Sequence, residues 1–126
     1  MSAVDRGPMP SGFEAQVFSL EHTRPGARLV RVFGTLSHRA GAELLLLVDE
    51  QRSLSMDILI LDLTELTSFG AEAVRVLVKV ASELGRLDIG LCLVASDGIV
   101  SPALAAAGVR AMFELHGSVA DALDVP

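Results

Sequence analysis

Two short runs limit the fold more than any other feature of the chain. "DILILDL", 57–63, and "LDIGLCLVA", 87–95, carry apolar residues at successive positions, so each would bury both faces of a strand. Such strands belong inside a parallel sheet, and parallel neighbours need a crossover between them. The intervening segment, 70–85, supplies it: Val74, Leu77, Val78, Ala81 and Leu84 form one stripe at helical spacing, opposite Glu72, Arg75, Lys79, Ser82, Glu83 and Arg86. Ala73, Val76 and Val80 flank that stripe and widen the apolar arc to about half the circumference. They either pack under a neighbouring helix or form an exposed rim for a partner beside Arg75 and Lys79.

The remaining segments extend this β-α-β unit. "FEAQVFSLEH", 13–22, and "ARLVRVFGTL", 27–36, read as strands joined at Pro25-Gly26, hence an antiparallel hairpin, and Arg28 and Arg31 predict a partly uncovered sheet face. "AGAELLLLVDEQR", 40–52, reads as a helix. After residue 95 follow a helix ending near Ala107, a short strand "AMFELH", 111–116, and a last helix opened by Ser118. Asp97 and Ser101 are alternative caps for the helix between them and Ala107. The expected order is β-β-α-β-α-β-α-β-α, a small α/β domain with a mixed sheet of about five strands and about four helices. Residues 1–12, with Gly7, Pro8, Pro10, Ser11 and Gly12, read as a disordered arm before one domain, 13–126.

Composition excludes several functions. A net charge of −6, ten basic residues without a cluster, and no Trp or Tyr speak against nucleic acid. Uncharged apolar stretches such as Leu44–Val48 and Ile89–Ser96 are far shorter than the roughly 20 residues of a membrane span. The start "MSAVDRGPMPSG" lacks the pattern of a secretory signal, so a cytoplasmic location is expected. Cys92, the single cysteine, reads as a small buried hydrophobe. His22, His38 and His116 fall on separate elements without metal-ligand spacing, so neither metal nor cofactor is expected. Asp62 and Glu65 read as solvated carboxylates, and no hydroxyl or thiol stands in a nucleophile's context. The chain is not expected to be an enzyme.

The order of elements, with Gly34-Thr35-Leu36, "LILDLTELTSF", "VRVLV" and "GLCLVASDGIVSPALAAAGVRAMFELHGSVADAL", resembles the STAS domain over about residues 13–125. The likeness is strongest to the single-domain bacterial anti-sigma factor antagonists. That resemblance implies a module that binds a serine kinase doubling as an anti-sigma factor, frees a sigma factor for transcription, and is switched off by phosphorylation of a serine opening the second helix. Aligned through "VRVLV", the family's Asp-Ser-Ser-Gly falls on Gly70, Ala71, Glu72 and Ala73, so Ala71 stands where the phosphorylated serine would be. Thr35 and Ser37 replace the two acids of the family's Gly-Glu-Leu-Asp.

The resemblance therefore implies an antagonist without the usual switch. Its partner contact is expected at Thr67, Ser68, Phe69, Gly70, Ala71 and Glu72, together with Arg75, Val76 and Lys79. Thr67 and Ser68 are candidates for a displaced phosphosite, against the plainer reading that they cap the helix or close the turn. Glu72 reads as stabilising the helix start. The expected state is a monomer or weak homodimer, without nucleic acid and without membrane insertion. Two alternatives stand: an accessory subunit of an ATP-binding-cassette transporter complex, and nucleotide or small-molecule sensing at the N–H groups of Gly70 and Ala71.

Overall fold

The hairpin forms where Pro25-Gly26 turns the chain. Strand β1 (Phe18–Arg24) pairs antiparallel with β2 (Ala27–Val32), and Gly26 takes φ +81°, a left-handed conformation that strains any residue with a side chain. Strands β3 (Ile58–Asp62), β4 (Gly90–Val94) and β5 (Glu114–His116) follow in parallel, giving the order β1-β2-β3-β4-β5. The computed structural model describes residues 18–52, 55–95 and 98–123; the five strands are those among the described residues. The expected arm, 1–12, the first part of the 13–22 strand and Asp97 lie outside them.

Helices α1 (His38–Arg52), α2 (Ala71–Arg86), α3 (Val100–Ala106) and α4 (Val119–Leu123) complete the predicted order. A 3₁₀ turn, Arg110–Met112, takes the front of the expected 111–116 strand, and Phe113 is buried between turn and strand. Ser118 caps α4 as expected, its Oγ accepting the Asp121 N–H at 3.1 Å. Ser101 does not cap α3: Ile99 holds the N-cap position without a side-chain bond, and the Ser101 Oγ instead accepts from Arg110 Nε at 3.0 Å.

Register decides what each sheet face meets. Val30, Leu61 and Leu93 are lateral neighbours, and with Val32 and Leu59 they share a core with Leu44, Val48, Leu77, Val80, Leu84 and Leu104 of α1–α3. Fully burying one such leucine is worth about 1.5–3 kcal/mol. The opposite face carries the row Leu29, Ile60, Cys92, Glu114, and its apolar part packs on Ala122 of α4. Among the described residues, three helices thus cover one face and one short helix covers part of the other.

Arg31 lies on the sparsely covered face, as expected, but Arg28 does not. Arg28 is buried on the three-helix side, where its Nε donates to Gln51 Oε1 of α1 at 2.8 Å. The two-residue period of a strand sends neighbours 28 and 31 to opposite faces. On α2 the apolar flank is core and not rim: Ala73, Val76 and Val80 are buried, whereas Val78 and Ala81 of the predicted stripe are only partly covered. Val76 sits over Gly41 of α1, so close that a Cβ at residue 41 would lie 2.5 Å from Val76 Cγ1.

Candidate functional site

The site starts from a lock between two loops at the carboxyl ends of β2 and β3. Gly34, at φ +84°, forms a parallel bridge with Leu66 and donates to Glu65 O at 3.3 Å. Its own carbonyl accepts twice from Thr67, from the N–H at 2.7 Å and from Oγ1 at 3.1 Å. Thr67 therefore closes the turn, and its hydroxyl proton is committed to that bond.

This lock sets the starts of α1 and α2 side by side. Ser37 caps α1, its Oγ accepting the Ala40 N–H at 3.1 Å. Ser37 thus supplies a side-chain acceptor at the cap. The start of α2 has no such cap: Gly70 precedes it and offers no side chain. Glu72, in its first turn, reaches across instead, and its Oε2 accepts the His38 N–H at 2.8 Å. One carboxylate thereby faces two helix amino ends, where the dipole favours negative charge. The expectation that Glu72 steadies its own helix is extended to α1.

Of the residues expected to make contact, Thr67, Ser68, Gly70, Ala71, Glu72, Arg75 and Lys79 are exposed and contiguous along the turn and the outer side of α2. Phe69 and Val76 are not available, at 8% and 4% exposure. Val76 is withdrawn because the α1–α2 contact consumes that flank of the helix. Ser68 does not cap α2; it lines an open cleft of ≈ 320 Å³ with Thr35, Ser37, Ala71 and Glu72. On the other side of the helix start, Gly70, Ala71, Val74 and Arg75 meet Ala103 and Ala106 of α3, and Ala107 just after it, across a mostly apolar groove of ≈ 390 Å³. Those alanines were missed, although the small-residue run in "PALAAAG" was a visible sign.

Asp62 is not a solvated carboxylate. It is buried; its Oδ2 accepts from Arg31 Nε at 2.8 Å, and its Oδ1 accepts from the Thr64 N–H at 2.9 Å and Thr64 Oγ1 at 2.6 Å. Burial pushes its pKa up, but the bonds from Thr64 and Arg31 outweigh that and hold it below the ordinary carboxylate range. Arg31 also pairs with Glu21 Oε2 at 3.0 Å. With both oxygens committed, Asp62 ties β2 to β3 and is not placed for proton transfer. Glu65 is exposed in the turn, as expected.

Cys92 is buried, and its thiol is pushed up to about 11 by burial and by Glu114 beside it. His22 belongs to β1 and His38 to α1, whereas His116 shares a sheet face with Cys92 and Glu114. Sequence spacing could not show that grouping, because parallel register creates it.

The family model described as the STAS domain matches residues 21–122 of the chain. Among solved structures, the anti-sigma factor antagonist SpoIIAA in its unphosphorylated form is similar with a TM-score of 0.67 at 18% identity, over 85% of this chain and 93% of that one. An anti-sigma factor antagonist from Mycobacterium paratuberculosis gives 0.69 at 22% identity, over 84% and 89%. The Bacillus cell fate determinant SpoIIAA in the phosphorylated form gives 0.64 at 17% identity, over 85% and 96%. At these identities the likeness is one of fold. No curated protein matches the chain. No helix among the described residues is long and apolar enough to cross a membrane.

Proposed function

The chain belongs to the STAS domain family, and on that premise we propose that it is a regulatory binding module that docks on an anti-sigma factor of the serine-kinase type and so controls sigma-factor-dependent transcription. It acts in the bacterial cytoplasm and performs no catalysis itself. One observation carries the reading: the start of α2 is exposed, rigidly placed by the Gly34–Thr67 lock, and flanked by an apolar groove with Arg75 at its edge. A small, flat helix end beside aliphatic surface and two cations on α2 suits contact with a protein face carrying acidic groups.

The usual off-switch is absent from this reading, because Ala71 has no hydroxyl to phosphorylate. Glu72 is not a free stand-in for phosphate, since its carboxylate is engaged by the His38 N–H. Its charge also opposes an anion at the Gly70 and Ala71 N–H groups, which weighs against nucleotide sensing there. The docking surface consists of Thr67, Ser68, Gly70, Ala71, Glu72, Arg75 and Lys79, with Ala103, Ala106 and Ala107 across the groove supplying the apolar contact that the buried Val76 cannot.

Affinity capture from the native organism with the whole chain as bait, followed by mass spectrometry of bait and prey, tests this. Recovery of a kinase-type anti-sigma factor with Thr67 and Ser68 unmodified is the expected result. Phosphate on either residue would mean that the switch has moved rather than vanished. Recovery of a transporter ATPase in place of an anti-sigma factor would overturn the proposal.

A further inference from the structure

We propose that Cys92, Glu114 and His116 form a three-ligand site for a divalent cation of the zinc class on the sparsely covered face of the sheet. Cys92 of β4 and Glu114 of β5 are lateral partners in the parallel register, and His116, two residues along β5, projects to the same face. Their donor atoms all lie within 4.8 Å of one another.

The spacing agrees with a shared tetrahedral centre. Zinc bonds of about 2.3 Å to sulfur and about 2.0–2.2 Å to nitrogen and oxygen put tetrahedral donors about 3.4–3.6 Å apart. Cys92 Sγ stands 3.5 Å from Glu114 Oε1 and His116 Nε2 stands 3.3 Å from the other carboxylate oxygen, Oε2, so sulfur and nitrogen flank one half-exposed carboxylate at spacings of that order. A turn of the Glu114 carboxylate that brings one oxygen toward both, with sulfur and nitrogen closing from within 4.8 Å, completes the set.

A second observation is independent of that spacing. His116 Nε2 is buried and has no hydrogen-bond partner among the described residues, despite its nearness to the Glu114 carboxylate. A buried ring nitrogen left unpaired costs stability, and a metal ion is a partner for its lone pair.

The donor types choose the class of ion. Calcium and magnesium take oxygen ligands, whereas sulfur, imidazole and carboxylate together suit zinc and its neighbours in the first transition row. On binding, the Cys92 thiol proton leaves to solvent and the thiolate, the Glu114 carboxylate and neutral His116, protonated at Nδ1, take up the ion. Two negative ligands balance the two positive charges, and water fills the fourth position. Glu114 is half exposed, which gives the ion a route in. The nearby cation Arg24 is held on the Leu123 carbonyl at 2.6 Å, and its charge lowers the affinity without occupying the site. Bound there, the ion would clip the three-residue β5 to β4.

Cobalt(II) titration of the whole, metal-stripped chain tests the proposal, followed by displacement with zinc. The expected result is saturation at one equivalent, with a thiolate-to-cobalt charge-transfer band and the intense visible bands of four-coordinate cobalt. Cys92→Ser should abolish the charge-transfer band, and His116→Asn should weaken binding at least tenfold. Glu114→Gln, a near-isosteric change on a half-exposed side chain, should weaken it as well and keeps the test valid if the buried variants unfold. A double variant, His22→Gln with His38→Gln, should bind as the parent does. No saturable spectrum, or binding that survives His116→Asn and Glu114→Gln unchanged, would overturn the site.

Discussion

Gly41 and Val76 are expected to be energetically coupled, because α1 and α2 approach only where residue 41 has no side chain. A Cβ at Gly41 would meet Val76 Cγ1 at 2.5 Å, with Val76 Cβ and Cγ2 at 3.6 and 3.8 Å. Gly41→Ala gains about 1 kcal/mol of helix propensity and loses about 1–3 kcal/mol to overpacking. Its net effect should therefore run from near neutral to about 2 kcal/mol destabilising. Val76→Ala removes two methyl groups from a side chain only 4% exposed, at a cost of about 1–3 kcal/mol. In the double variant the new methyl of residue 41 fills part of the space vacated at 76, so the clash disappears and the propensity gain stays. The double variant should be at least about 1 kcal/mol more stable than the sum of the single effects. The chain has no Trp or Tyr, so urea unfolding should be followed by far-ultraviolet circular dichroism rather than intrinsic fluorescence. Additivity within about 0.5 kcal/mol would refute the packing argument.

Two further outcomes concern charge. Asp62→Asn should cost about 2–3 kcal/mol, since it leaves Arg31 without its most buried partner. The folded Asp62 carboxyl lies below its unfolded value of about 3.9, so its contribution is complete above that value and is lost as pH falls through the folded pKa. Between about pH 5 and pH 3 the parent should therefore lose more stability than Asp62→Asn, as measured by urea midpoints across that range. A parallel decline would contradict the assignment. Glu72→Ala should cost about 1 kcal/mol or less, because the side chain is half exposed, yet speed amide exchange at His38 severalfold. Glu72→Gln should lie between it and the parent; equal exchange in all three would remove the cross-helix bond from the account.

The parts of the fold visible in the sequence are those set by short-range pattern. "DILILDL", "LDIGLCLVA" and the 70–85 periodicity give two strands and their crossover, and Pro25-Gly26 gives the hairpin, because strand and helix periods and turn residues act locally. What escaped depends on which neighbour a residue meets. A helical wheel places Val76 on a flank, but only the close approach permitted by Gly41 decides that the flank is covered. Arg28 reads as a polar outward residue until Gln51 of α1 is brought to it, and Asp62 reads as solvated until Arg31 is its lateral neighbour. The group Cys92, Glu114 and His116 arises from register between β4 and β5, which no spacing along the chain encodes. At the candidate site, the exposed turn and the absence of a hydroxyl at 71 were legible directly, whereas the groove wall from α3 required the packing of α3 beside α2.

The most direct test of the central reading is the affinity of the captured partner for charge-reversal variants on α2, measured by titration calorimetry. Arg75 and Lys79 are exposed and away from the core, so Arg75→Glu and Lys79→Glu should fold as the parent does. A docked face at the start of α2 predicts at least a tenfold loss of affinity in Arg75→Glu, a smaller loss in Lys79→Glu, and no change in Glu114→Gln on the opposite sheet face. Unchanged binding in both α2 variants, or a loss confined to Glu114→Gln, would contradict the account and move the interface away from α2.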